Sequence, residues 1–304
     1  MKNNFVIYTF YRFLKIRNKK YFKKTFDLYL KKIPLKGTIL IADEGINASI
    51  SGKEEEVFKF IKHIKKELKI SKIQPKINFA NFIPFNKMKV RIKKEIVSLG
   101  MGDFDIKKYT GKNIHPSDWN KIISKKTVKL IDTRNIYEIN IGKFINSINP
   151  NTNNFREFPK KLSKMNISKD DEVAMYCTGG IRCEKASAYL KLNGFTNVMQ
   201  LEGGIINYLD FMNKKKNKSK SKWKGECFVF DNRVTINNNL SKGKFIQCFG
   251  CRNPITMKDT KLESYIKGVS CKYCYNKRSK LQKQRSISRQ VQIELAKDNG
   301  QSHI

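Results

Sequence analysis

Hydrophobic residues in the first hundred positions change their spacing several times, and each change indicates a new secondary-structure element. Residues 4–11 alternate as in a strand, and residues 19–32 place apolar side chains four apart, as on one face of a helix. Two β-rich runs, 37–45 and 46–52, then meet at Gly45. The chain therefore begins with the order strand, helix, strand, strand.

A second helix and a further strand complete the N-terminal pattern. Ser51 and Glu54 have the spacing of a capping box ahead of apolar residues at helical intervals, and a β-rich run covers 75–82. The resulting order β-α-β-β-α-β is ferredoxin-like. We predict a ferredoxin-like α+β domain over residues 1–98, followed by a connector over 99–124.

The central part of the chain alternates strands with helices. These elements are predicted, in chain order, as strand, strand, helix and strand at residues 128–135, 172–177, 184–193 and 197–201. Such alternation predicts a parallel sheet whose ligands gather beyond the carboxyl ends of the strands. Asp132 and Cys177 both lie at such ends, within a predicted α/β domain over residues 125–213.

The charge of the chain predicts which partners it binds, and its cysteine content predicts the compartment in which it works. It carries 63 Lys and Arg against 26 Asp and Glu, a formal net charge of +37. This excess attracts polyanions through counterion release, so a nucleic acid is the expected partner. No stretch approaches the roughly 20 apolar residues of a membrane span, and no secretory cleavage site follows the N-terminus. Seven cysteines without an export signal are typical of a reducing compartment, so we expect a cytoplasmic protein with no membrane partner.

A cysteine begins a short glycine-containing loop between a predicted strand and a predicted helix. The loop residues are Cys177, Thr178, Gly179, Gly180, Ile181 and Arg182. Inward-facing backbone N–H groups and the dipole at a helix start stabilise negative charge, and Arg182 adds a cation in the same turn. The segment therefore predicts an anion-stabilising cradle around a nucleophilic Cys177. A small buried packing cysteine is the alternative interpretation.

This loop, CTGGIR, resembles the active-site loop of rhodanese-like domains, in which the cysteine carries a persulfide. The related dual-specificity phosphatases use a loop that is one residue longer, which argues against phosphatase chemistry here. The segments DTRNIYEINIGKF (132–144) and LEGGIINYL (201–209) resemble the first and last conserved blocks of the rhodanese family. The resemblance implies a rhodanese-like catalytic domain with Cys177 as its reactive residue.

Three residues near the loop have more than one interpretation. Cys183 either resolves a persulfide or sulfenate on Cys177 as a disulfide, or packs against the sheet, and packing is favoured. Asp132 and Arg134 either orient the loop and bind substrate, or form an ion pair that fastens a strand to a helix.

From residue 214 to residue 304 the chain becomes basic and cysteine-rich. NKKKNKSKSKWKG (213–225) is expected to be a linker, and the polar tail of the chain is either helical or disordered. Cys227 is expected to be a packing residue. Two C-x-x-C pairs separated by 19 residues have the spacing of a four-thiolate zinc site: Cys248 with Cys251, and Cys271 with Cys274. Free thiols are the alternative.

In combination, these segments resemble the tRNA uridine hydroxylase family. The resemblance covers roughly residues 4–280, and besides the rhodanese blocks it rests on ADEGINASISG (42–52), FNKMKVRIKKEIVSLG (85–100), GECFVFDNRV (225–234) and GVSCKYC (268–274). Members hydroxylate C5 of the wobble uridine, position 34, to 5-hydroxyuridine with molecular oxygen, and they require the loop cysteine. The resemblance implies the same activity here, with tRNA, oxygen and an unknown electron donor as partners.

No cofactor for this reaction is evident in the sequence. It contains no flavin fingerprint, and its only histidines, His63, His115 and His303, form no 2-His-1-carboxylate set. A structural zinc is the one cofactor expected. Two other functions would use the same features: a sulfurtransferase that passes a persulfide from Cys177 to RNA or protein, and a zinc-stabilised RNA-binding adaptor with a vestigial rhodanese scaffold.

Overall fold

The computed structural model describes residues 5–102, 104–214 and 221–299, and internal contacts divide the chain into two units. The first unit comprises Met1–Cys227 with Asn237–Ser241, and the second comprises Phe228–Ile236 with Lys242–Ile304. The first unit contains the ferredoxin-like segment and the rhodanese-like segment together.

The N-terminal segment forms a five-stranded sheet of order β4-β1-β3-β2-β5. Its elements are β1 Phe5–Phe13, α1 Lys19–Leu30, β2 Lys36–Ala42, β3 Gly45–Gly52, α2 Glu54–Glu67, β4 Lys76–Ala80 and β5 Met88–Ile92. The four strands β4-β1-β3-β2 are antiparallel and have the ferredoxin-like order, which confirms the prediction. Strand β5 was not predicted; it extends the sheet by pairing in parallel with β2.

The two long helices of this domain cover one face of the sheet. Phe26 of α1 and Phe60 of α2 are fully buried and meet edge to face, with ring centroids 5.9 Å apart. The predicted capping box at Ser51 and Glu54 is wrong, because Ser51 belongs to β3 and α2 begins after Lys53, which makes no side-chain cap. Three glutamates in the first turn of α2 favour the helix start through its dipole instead.

The central segment forms a four-stranded parallel sheet of order β6-β10-β9-β7, as predicted. Its elements are α3 Ile106–Tyr109, β6 Lys112–Ile114, α4 Pro116–Ile122, β7 Val128–Asp132, α5 Ile136–Ile139, β8 Gly142–Phe144, α6 Phe158–Leu162, β9 Glu172–Tyr176, α7 Ile181–Leu192, β10 Val198–Leu201 and α8 Gly204–Lys214. Helix α7 ends just before Gly194, whose φ is +88°, as its glycine signal indicates.

The structure corrects two of the predicted boundaries. The segment 99–124 is not a plain connector, because its strand β6 forms the edge of the parallel sheet beside β10. The predicted linker 213–225 ends in a strand, since β11, Trp223–Gly225, pairs with β8. Residues 215–220 of that linker lie outside the described residues. The first unit therefore continues past residue 213.

A buried lysine joins the two domains of the first unit. The Nζ atom of Lys185 on α7 lies 2.7 Å from a carboxylate oxygen of Glu44 and 2.5 Å from one of Glu95, and the lysine side chain is 1% exposed. Both glutamates belong to the N-terminal domain, and their carboxylates also accept backbone N–H groups from Ile96 and Leu99. One cation therefore holds two loops of the ferredoxin-like domain against the helix that follows the cysteine loop.

The second unit is built from short elements. They are β13 Thr235–Ile236, β14 Ile246–Gln247, β15 Pro254–Ile255 and α9 Lys280–Asp298, while β12, Cys227–Phe228, lies at the boundary between the units. Strands β14 and β15 pair antiparallel. The tail forms a helix as far as Asp298, and residues 300–304 lie outside the described part of the chain. Among the described residues, no helix has the length and apolar character needed to cross a bilayer.

Replacing Lys185 tests how much its two ion pairs contribute to the stability of the first unit. Lys185→Met leaves Glu44 and Glu95 without their cation, so the free energy of unfolding should fall by about 3 kcal/mol. The control Lys191→Met lies on the exposed side of the same helix and should change it by less than about 0.5 kcal/mol. Urea denaturation followed by tryptophan fluorescence reports on this unit, because Trp119 and Trp223 both belong to it. An equal loss of unfolding free energy in Lys185→Met and Lys191→Met would contradict a stabilising role for the Lys185 ion pairs.

Candidate active site

The cysteine loop follows β9 and leads into α7, which places Cys177 at the carboxyl end of a central parallel strand. Its side chain is 0% exposed. The backbone N–H of Gly180 donates to the Cys177 Sγ atom at 3.0 Å. The backbone N–H groups of Arg182 and Cys183, which follow in the first turn of α7, also favour negative charge on this buried sulfur atom.

These donors decide the charge of Cys177. Burial raises the pKa of the thiol, but a hydrogen bond from Cys183, the charge of Arg182 and the amide donors lower the pKa more, to about 5. These contacts favour the thiolate form of Cys177 at neutral pH, even though the side chain is buried. A thiolate is the nucleophilic form of cysteine.

Cys183 lies on the first turn of α7 with its thiol facing Cys177. It packs in the hydrophobic core beneath the sheet, and its Sγ atom is 3.6 Å from the Thr133 hydroxyl. Burial and the neighbouring Cys177 sulfur raise the pKa of Cys183 well above its ordinary value, so it stays protonated and can donate. The residue packs as favoured from the sequence, and it also polarises Cys177. A resolving role for Cys183 stays a prediction.

Arg182 is held by a residue that the sequence did not reveal. Its guanidinium forms a fork with the carboxylate of Glu138, with N–O distances of 2.7 and 2.8 Å, and both side chains are buried. Burial opposes ionisation of Glu138, but Arg182 overcomes it and lowers the pKa of that carboxyl. Thr178 lies beside the pair, 3.4 Å from each partner. The only sequence signal for Glu138 is its capping-box position relative to Asn135 on α5.

Asp132 and Arg134 form a fully buried ion pair with each other. The guanidinium donates to Asp132 at 2.6 and 2.9 Å, and it also donates to the carbonyl oxygen atoms of Glu138 and Gly142. In the described part of the chain, neither side chain hydrogen-bonds with Cys177. Their position matches the interpretation in which the pair fastens strand β7 to the segment after it.

The start of helix α8 holds the cysteine loop from behind. The N–H groups of Ile205 and Ile206 donate to the carbonyl oxygens of Cys177 and Thr178 at 2.9 and 3.2 Å. Gly204 has a φ of +69°, and a Cβ atom there would lie 2.5 Å from the Cys177 carbonyl oxygen. A glycine is therefore required at this position for both conformation and space. Gly204 thus shapes the cysteine loop from the start of α8.

The N-terminal domain reaches the same loop. The Tyr11 hydroxyl donates to Glu184 at 3.2 Å and lies 3.0 Å from the point where a Cβ atom on Gly180 would be. A cavity of about 570 Å³ opens beside these residues, with walls from both domains of the first unit. Gly179, on the outer side of the loop, has no atom within 4 Å of the place where its Cβ atom would stand. Space for a ligand therefore adjoins the loop.

The second unit brings the four cysteines of the two C-x-x-C pairs together. Their sulfur atoms all lie within 4.8 Å of one another, and the closest pairs are Cys248 with Cys274 at 3.9 Å and Cys251 with Cys271 at 3.7 Å. These cysteines and Ile255 form the buried centre of the unit. Four thiolates at about 2.3 Å from a tetrahedral zinc ion would lie about 3.8 Å apart, so the arrangement fits such an ion.

Comparison with known proteins places both domains of the first unit. The profile of the UPF0176 acylphosphatase-like domain matches residues 5–96, and that of the rhodanese-like domain matches residues 115–210. A tRNA uridine(34) hydroxylase from Pelagibacter ubique is 46% identical over 301 residues, which cover 99% of this chain and 98% of that protein. The chain belongs to the tRNA uridine(34) hydroxylase family.

Two solved structures are each similar to about a third of this family member. A rhodanese-related protein from Thermoplasma volcanium is 27% identical and covers 33% of this chain and 92% of its own, with a TM-score of 0.29. A rhodanese-like domain protein from Staphylococcus aureus is 26% identical and covers 32% and 90%, with a TM-score of 0.28. Neither similarity carries a conclusion beyond the sequence matches.

The charge state of Cys177 predicts its reactivity. Alkylation of Cys177 by iodoacetamide, followed by peptide mass spectrometry, should stay fast from pH 9 down to pH 6 and decline with a midpoint of about pH 5. Cys183→Ala removes a hydrogen-bond donor and should raise that midpoint, whereas Cys183→Ser keeps a donor and should raise it less. A midpoint near pH 8.5 in the unaltered protein, as for an ordinary thiol, would contradict the cradle.

Proposed function

We propose that this protein hydroxylates C5 of uridine 34 in tRNA to 5-hydroxyuridine with molecular oxygen, and that the Cys177 thiolate is its catalytic residue. The proposal rests on the buried Cys177 thiolate, which accepts a hydrogen bond from the backbone of the rhodanese loop. The chain that contains it matches a tRNA uridine(34) hydroxylase over 99% of its length. Insertion of one oxygen atom of O2 also requires two electrons and two protons, which reduce the other oxygen atom to water.

The charge of the chain supports tRNA as the substrate. Its formal net charge is +37, and basic residues neutralise phosphates by counterion release. A surface depression of about 310 Å³ beside α1 offers such basic residues, because its lining includes Lys20, Lys23, Lys24 and Lys31. None of the seven cysteines forms a disulfide, which fits work in the reducing cytoplasm, where tRNA is modified.

The four-cysteine cluster supports a structural zinc ion in the second unit. Cys248, Cys251, Cys271 and Cys274 would hold it, and three of the four are buried. The apolar centre of this unit contains few residues other than the cysteines, so it has little core of its own. A bound metal would supply the missing stability, as in other small cysteine-rich units. We propose no role for the ion in the reaction.

Nucleoside mass spectrometry of tRNA tests the proposed reaction. Cells that lack the protein would be complemented with the unaltered protein, Cys177→Ala or the control Cys227→Ala, and grown with and without oxygen. Derivatives of 5-hydroxyuridine should appear only with oxygen, and Cys177→Ala should reduce them at least a hundredfold, whereas Cys227→Ala should retain them. Cys227 is an equally buried cysteine of the same unit that meets the loop at Thr178, so this control removes a neighbouring thiol and leaves the Cys177 sulfur in place.

Other results of this experiment identify the competing functions. A thiolated nucleoside that depends on Cys177 regardless of oxygen would replace the hydroxylase with a sulfurtransferase. Full modification with Cys177→Ala would favour an RNA-binding adaptor whose rhodanese domain is only a scaffold.

Metal analysis of the purified protein tests the zinc site. We expect about one zinc ion per chain, its loss in Cys251→Ser and Cys271→Ser, and its retention in Cys227→Ala. A chelator should make the second unit sensitive to proteolysis while the tryptophan fluorescence of the first unit stays unchanged. Zinc content that does not depend on Cys271 would refute this site.

A further inference from the structure

A lysine of the ferredoxin-like domain lies close to the cysteine loop. Lys76 begins strand β4, which pairs with β1 so that Lys76 is opposite Thr9, two residues before Tyr11. The Lys76 Nζ atom is 4.7 Å from the centre of the Tyr11 ring, over its face. Tyr11 in turn contacts the loop at Gly180. The register of β4 against β1 therefore places Lys76 of the ferredoxin-like domain near the cysteine loop of the rhodanese-like domain.

The charges around Lys76 are mostly negative. Burial lowers the pKa of its ammonium group to about 8, whereas Cys177, Glu184 and Glu202 act in the opposite direction. Among the residues that the structure describes, Lys76 forms no ion pair within 4 Å. The other cations on the same cavity are Arg12 and Lys107. Lys76 is thus a charged, partly buried lysine whose nearest anionic groups include the catalytic sulfur.

The cavity that contains Lys76 has the size of a small-ligand site. Its volume of about 570 Å³ lies within the usual range for such sites. Gly203 forms part of its wall, and the Gly203 Cα atom lies 3.6 Å from the place of a Cβ atom on Gly180, whose N–H bonds the Cys177 sulfur. The wall of the cavity at Gly203 therefore lies beside the cysteine loop.

The lining of the cavity complements a pyrimidine base. Uracil presents two carbonyl oxygens, which accept hydrogen bonds, and one N–H group, which donates. Lys76 and Arg12 supply donors, whereas Glu184 and Glu202 supply acceptors, on opposite domains of the first unit. The Asn113 carbonyl oxygen already accepts from Gln200, which leaves its N–H groups as donors. The Asn207 amide already donates to the Glu202 carbonyl oxygen, which leaves its own carbonyl oxygen as an acceptor.

We infer that this cavity receives the uracil base of the target nucleotide, and that Lys76 is a positioning residue that holds the negative Cys177 sulfur and the base together. The inference deepens the proposed hydroxylation and rests on it for the identity of the base. It gives the ferredoxin-like domain a direct part in the active site, because β4 adds a cation to those of Arg182 and Lys107 from the rhodanese-like domain.

The alkylation profile of Cys177 separates this role from a structural one. Lys76→Met should raise the midpoint of Cys177 alkylation by about one pH unit, because an opposite charge is lost. Lys76→Arg should restore the midpoint, and Lys72→Met, an exposed lysine four residues earlier, should leave it unchanged. Lys76→Gln serves as a second neutral variant if thermal melting shows that Lys76→Met does not fold. An unchanged midpoint in a folded neutral variant overturns the role of Lys76.

Protection by RNA tests the base site. An anticodon stem-loop with uridine at the wobble position, at a concentration that a gel shift shows to be saturating, should slow Cys177 alkylation at least tenfold. Lys76→Met should lose this protection and should reduce the tRNA product in cells at least tenfold. Saturating RNA that leaves the alkylation rate of the unaltered protein unchanged overturns the base site. The midpoint shift does not depend on the reaction, so failure of the hydroxylase proposal is distinguishable from failure of this one.

Discussion

A negative charge on a fully buried sulfur atom is the constraint on which the rest of this site depends. An isolated buried anion costs several kcal/mol, so every group around Cys177 must offset that cost. Backbone amides, the Cys183 thiol and the Arg182 guanidinium do so. Arg182 is itself buried and needs Glu138 as a counter-ion. Charges of alternating sign therefore extend from the loop into the core, and each one fixes the position of the next.

A buried charge with its counter-ions also connects the two domains of the first unit. Lys185 is buried on the helix that begins at the cysteine loop, and its two carboxylate partners belong to the ferredoxin-like domain. Because Lys185 lies only two residues after Cys183 on α7, the position of the N-terminal domain and the geometry of the loop are set together. The cavity beside the loop can therefore use residues from both domains with fixed geometry. The second unit follows a different principle, since its centre consists largely of cysteine sulfur.

Periodicity predicted the long elements of the fold correctly, and short elements account for its errors. The ferredoxin-like order and the parallel sheet follow from alternating and helical spacing, because each long element buries one apolar face. Strand β5, MKVRI, alternates apolar and basic residues as a strand does, and the prediction missed it. Strand β6 has only three residues, and its pairing with β10 makes it a strand. The capping box failed because β3 extends through Ser51, and hydrogen bonds to the neighbouring strand override a local helix signal.

For the site, the sequence by itself determined the loop: a cysteine at a strand end, glycines that free the amides, and an arginine within the same turn. These signals are local, so spacing alone carries them. The tertiary structure decided which charges surround that loop. Glu138 lies 44 residues from its partner Arg182, and Lys76 is about a hundred residues from Cys177, so no spacing rule connects them. Only packing of the two domains brings these groups to the sulfur, because electrostatic interaction depends on distance in space and not on separation along the chain.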